Sequence, residues 1–77
     1  MSKEPIRLDV CGLMPPEPFE KAMQALNLLE KGQQLFLKIH RQPQPLYDIL
    51  RDHGYSYRVE TLEDGTFEIR IQHRLGE

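Results

Sequence analysis

Hydrophobic and polar residues alternate along this chain with two different periods, and the switches between them mark out six elements. Ile6, Leu8 and Val10 alternate with Arg7 and Asp9, the two-residue period of a strand with one buried face. From Pro16 to Lys31 the period lengthens. Phe19, Ala22, Met23, Leu26 and Leu29 recur at helical spacing, prolines occupy the first turn where an N–H is not needed, and Gly32 is placed to cap the end. Period two returns at Leu35, Leu37 and Ile39, interleaved with Phe36 and Lys38. Pro43 and Pro45 then open a shorter helix that carries Leu46, Ile49 and Leu50 and closes at Gly54. Tyr55, Tyr57, Val59 and Thr61 alternate on one last strand and Phe67, Ile69 and Ile71 on the other. Between them lies Glu63-Asp64-Gly65-Thr66, whose Asp-Gly pair supplies the positive-φ residues of a tight hairpin turn.

The order βαβαββ predicts an α+β fold, a two-layer α/β sandwich in which a four-stranded mixed sheet carries both helices on one face across right-handed crossovers. If Ile6, Leu8, Val10, Leu35, Leu37 and Ile39 face the helices, then Arg7, Asp9, Phe36, Lys38, Arg58, Glu60, Glu68 and Arg70 face outward. That outward set is a solvated, charged face with one aromatic, Phe36, whose exposure suits either open solvent or partial cover by a partner.

Composition narrows the class. Seventy-seven residues make one domain, here 1–77 with an ordered core of about 6–73. Hydrophobic residues at 39% and charged residues at 29% are globular values. A net charge of −2 leaves nothing to attract a polyanion, which argues against nucleic acid as a partner. One cysteine excludes an internal disulfide, and the start Met-Ser-Lys-Glu-Pro-Ile lacks the layout of a secretory signal, so a cytoplasmic location is expected. No apolar run approaches the ~20 residues that cross a bilayer.

The topology gives the chemistry one address. In sheets built from βα units, ligands collect beyond the C-terminal ends of the parallel strands, where helix N-termini present N–H groups. Here that rim holds Cys11, Met14, Pro15, Glu17, His40 and Arg41, the candidate ligand or partner site. Each has a plainer account. Cys11 suits a small buried residue at a strand end, His40 a loop hydrogen bond, Arg41 a solvated charge, and Glu17 the acidic first turn of a helix. Met14, Phe19 and Met23 suit the core. His53 suits the carbonyls at a helix end and His73 a fraying last strand. One cysteine and three scattered histidines make no zinc motif, and neither a serine triad nor a phosphate loop is available, so no cofactor or metal is expected.

The segment Leu8-Asp9-Val10-Cys11-Gly12-Leu13-Met14-Pro15-Pro16-Glu17-Pro18 resembles the opening motif of the TusA/SirA-like sulfur carriers, Leu-Asp-x-x-Gly-Leu-x-Cys-Pro-x-Pro. Aligned on Leu8, Asp9, Gly12, Leu13, Pro16 and Pro18, the carriers' reactive cysteine falls on Pro15, which has no thiol. With His40-Arg41-Gln42-Pro43-Gln44-Pro45-Leu46-Tyr47 and Gly54-Tyr55, the chain is similar to a narrower, uncharacterised family of small bacterial TusA-like proteins in which that cysteine is commonly replaced. Members of that family occur alone or joined to hemerythrin-like or cupin-like domains, which implies a redox or metalloprotein partner.

Two functional classes follow. One is a non-enzymatic binding or interaction module, monomeric or weakly dimeric, in redox or sulfur-related metabolism, whose rim takes a small anion or a segment of a partner protein. The other is a relocated sulfur carrier or thiol-redox protein in which Cys11, activated by His40, replaces the missing thiol. A similar βαβαββ arrangement in the C-terminal domain of a bacterial translation initiation factor prompts a nucleic-acid reading. The acidic charge and the lack of aromatic-basic interleaving oppose it.

Overall fold

The computed structural model describes residues 4–14 and 16–74. Its elements are β1 (Ile6–Asp9), α1 (Glu17–Leu28), β2 (Leu35–Ile39), α2 (Gln44–Asp52), β3 (Tyr55–Thr61) and β4 (Phe67–His73). The strands form one mixed sheet in the order β1-β2-β4-β3, with β1 and β2 parallel and the other two pairs antiparallel. Helix α1 packs on β1 and β2, and α2 on β3. The expected two-layer α+β architecture is therefore the one observed.

The alternation fixes which side of the sheet is dry. Leu35, Leu37, Ile69 and Ile71 are wholly buried beneath the helices, joined by Val10, Ala22, Leu26, Leu46 and Leu50. A side chain with the opposite parity on the same strands reaches the open face, as Arg7, Arg58 and Arg70 do.

Four boundaries differ from expectation. Helix α1 stops at Leu28, not Lys31, because Leu29 swings to an extended ψ of 125° and buries its own side chain in the core. Gly32, at φ +86°, lies in the turn that follows and caps nothing. The hairpin is not a two-residue Asp-Gly turn. Gly65 N–H donates to the Leu62 carbonyl at 3.1 Å, and Gly65 alone takes a positive φ, +87°, giving a turn followed by one left-handed residue. Asp64 keeps an ordinary φ and accepts the Thr66 N–H at 3.0 Å. Finally, β4 runs to His73 and does not fray. His73 Nε2 lies 2.9 Å from the Leu29 carbonyl, its ring 4.7 Å from that of Tyr55. Since a carbonyl only accepts, Nε2 carries the proton, and β4 thereby supplies a donor to the end of α1.

Candidate functional site

Both helices begin with the same device. Pro16 and Pro43 occupy the N-cap positions, and Pro18 and Pro45 follow two residues later. No side chain caps either helix. The two starts stand beside each other over the end of β2, and between them lies a groove of about 280 Å³. Pro16, Pro18, Phe19 and Ala22 form one wall, Pro43, Pro45 and Leu46 the other, and Leu37 and Ile39 the floor, with His40, Arg41 and Gln42 completing the lining.

The groove takes two of the six rim residues inferred from sequence. His40 and Arg41 line it and are exposed, and among the described residues Arg41 has no ion-pair partner. Cys11, Met14 and Glu17 do not line it. Met14 is 73% exposed, which also removes it from the expected core. Glu17 sits in the first turn of α1 beside Glu20, where the helix dipole accounts for both. Pro15 lies outside the described residues.

Cys11 belongs to a different neighbourhood. Asp9 Oδ1 accepts the Cys11 N–H at 2.9 Å, and Leu13 N–H reaches the Val10 carbonyl at 3.3 Å. This turn carries Gly12 at φ +84°, a conformation that glycine adopts without a Cβ penalty. Partial burial pushes the Cys11 thiol above its ordinary pKa, and hydrogen bonding to Asp9 and the Asp9 charge push it the same way. The same contacts, the Cys11 N–H first, hold the Asp9 carboxyl below its usual range. The charged groups that act on Cys11 are Asp9, Lys38 and Asp64, all from the outward-facing side, and a carboxylate is the nearest. This environment disfavours a thiolate at neutral pH.

The expectation that the helix N-termini offer free N–H groups to an anion also changes. In α2, Gln44 N–H donates to Gln42, Leu46 and Tyr47 N–H both to Pro43, and Pro45 has none. The first turn of α2 is thus closed to an anion. The groove is apolar because proline has replaced donors at its walls.

A larger depression of about 370 Å³ lies on the open sheet face, lined by Gln34, Ser56, Tyr57, Arg58, Arg70 and Gln72. Its lining is mostly polar, and Gln34 already donates to Gln72 at 3.3 Å. It therefore gains less from excluding water than the groove does. Phe19, expected in the core, is exposed at the groove wall, and Pro18, Pro43 and Pro45, which the sequence marks only as helix starters, line the groove as well. The repeated Pro-x-Pro at residues 16–18 and 43–45 was the available signal.

Among the described residues no three of His, Cys, Asp and Glu gather as a metal site, and no helix is long and apolar enough to cross a membrane.

The family whose model matches residues 7–73 is described as an uncharacterised conserved protein family, DUF2249. Among solved structures, the chain is similar to the crystal structure of a SirA-like protein from Desulfitobacterium hafniense. The two share 27% sequence identity over 94% of this chain and 99% of the other, with a TM-score of 0.75. No curated protein matches.

Proposed function

Since the chain belongs to the DUF2249 family and shares the fold of a SirA-like protein, we propose that it is a non-enzymatic binding module. Its occupant is an extended segment of a partner protein that places one or two apolar side chains in the groove and an acidic residue beside Arg41. The observation that carries this reading is the apolar, proline-walled groove with a guanidinium at its rim, Arg41, that has no ion-pair partner among the described residues. At about 280 Å³ it is near the lower limit for a drug-sized ligand, so side chains fill it better than a whole cofactor does. The closed first turn of α2 favours an apolar anchor over a small free anion. Prolines and a short helix start also hold the walls in place before binding, which lowers the ordering cost of association.

The carrier alternative asks Cys11 to replace a thiol at residue 15, and its surroundings work against that. The residue is four positions away, its thiol pKa is raised, and Asp9 stands next to it. A redox or sulfur-related setting for the partner remains part of the proposal through the TusA/SirA-like fold.

Peptide selection on the immobilised chain tests the reading. The expected winners carry adjacent apolar residues flanked by Asp or Glu. Their binding is lost in Phe19→Asp, weakened about tenfold or more in Arg41→Glu, and unchanged in Cys11→Ser. Selected peptides that bind Phe19→Asp as well as the parent chain would sink the groove as the site. Dependence on Cys11 would favour the thiol.

A further inference from the structure

The open face of the sheet carries its charges in two parallel rows that only the strand register reveals. Arg7 pairs with Phe36, Phe36 with Arg70, and Arg70 with Arg58, so one row across the four strands reads Arg, Phe, Arg, Arg. Two residues along, Asp9 pairs with Lys38, Lys38 with Glu68, and Glu68 with Glu60, so the next row reads Asp, Lys, Glu, Glu. On β1, β4 and β3 the two rows carry opposite charges, and on β2 an aromatic ring in one row stands beside a cation in the other. Placing Arg58 opposite Arg70 and Glu60 opposite Glu68 costs stability within one chain, because like charges directly across a strand pair repel. Arg70 recovers part of this by reaching Glu60 at 3.4 Å and Glu68 at 3.6 Å. Arg58 has no carboxylate within ion-pair distance among the described residues.

A pattern antisymmetric about a line is self-complementary under a two-fold axis along that line. If a second copy lies face to face on the first, with the axis between the two rows and parallel to them, every strand meets its own counterpart with the rows exchanged. Arg7 then faces Asp9 of the other copy, Arg58 faces Glu60, and Arg70 faces Glu68. Phe36 faces Lys38, an ammonium over an aromatic ring. Within one copy that ring already attracts guanidiniums, with Arg7 at 4.8 Å and Arg70 at 5.8 Å from its centre. Aligned packing of two sheets is an ordinary geometry, and a closed two-fold interface is the commonest in oligomers. We infer that the open sheet face is a homodimer interface held by this exchange of charge rows, on the side of the molecule opposite the groove.

Because the contact is rich in ion pairs, it should be tight at low ionic strength and loosen in salt. Sedimentation equilibrium over a concentration series, at low and at high sodium chloride, reads this directly. The expected result is a dimer at low salt that dissociates at high salt. Arg58→Glu should weaken it about tenfold or more, and Arg58→Glu combined with Glu60→Arg should restore it, since the double exchange keeps the rows complementary. Circular dichroism confirms that both variants remain folded. A monomer at every concentration in low salt overturns the inference. So does a dimer that Arg58→Glu leaves intact, or a double variant no tighter than the single one.

Discussion

Single side chains separate this molecule from the carriers it resembles. Pro15 removes the thiol, and partial burial, with the Asp9 carboxylate adding to it, raises the pKa of Cys11. Tyr47 shows a different kind of departure. It is buried at 7% exposure, stacked on Tyr57 with ring centres 5.0 Å apart, and its hydroxyl has no hydrogen-bond partner among the described residues. Burial raises its pKa, with the Tyr57 hydroxyl adding to the effect. An orphaned buried hydroxyl costs about 1 to 3 kcal/mol. Tyr47→Phe keeps the ring stack and removes the orphan, so it should stabilise the fold by about 1 kcal/mol. A thermal melt checks this, as one kcal/mol moves the midpoint by roughly 4 to 8 °C in a domain of this size. A lower midpoint would mean that the hydroxyl has a partner in solution.

At the scale of elements, alternation was enough to read the strands and to sort their faces. Burying Leu35 and Leu37 obliges Phe36 and Lys38 to point outward, whatever the strand order. What periodicity does not encode is where a segment leaves its element. Leu29 keeps helical spacing yet exits α1, because the core takes its side chain from an extended backbone just as well. The hairpin differed for a related reason. Asp64 uses its side chain to bind the Thr66 N–H and hydroxyl, which satisfies the turn without a positive φ of its own. Those bonds, the hydroxyl first, hold the Asp64 carboxyl below its ordinary pKa of 3.8. A depressed carboxylate stabilises the fold fully above that value and loses the contribution as pH falls through the lower, folded-state pKa. Asp64→Ala should therefore flatten the acid limb of the stability curve below about pH 3.8 and lower stability at neutral pH. Urea midpoints across an acid pH series measure both. An acid limb unchanged by the substitution would remove Asp64 from the account.

For the whole molecule, the groove between the helix starts and the open sheet face lie on opposite sides of the sheet. The rim was found from topology, and His40 and Arg41 do reach the groove. The rest of the candidate set scattered because residue order along a loop does not say on which side of the sheet the loop passes. Cys11 turned toward Asp9, away from the helices, while two proline-led helix starts closed a groove that neither motif reveals alone. The charge rows were equally hidden, since they depend on β4 lying between β2 and β3. The proposed function places this protein's work in the groove, and not in a thiol. It is tested most directly by the intact mass of the reduced chain after incubation with a cysteine desulfurase and cysteine, beside Cys11→Ser. The expected result is an unchanged mass, with alkylation of Cys11 slow until the pH approaches or exceeds an ordinary thiol pKa. One sulfur added to the parent chain and absent from Cys11→Ser would contradict it and make Cys11 a working carrier thiol.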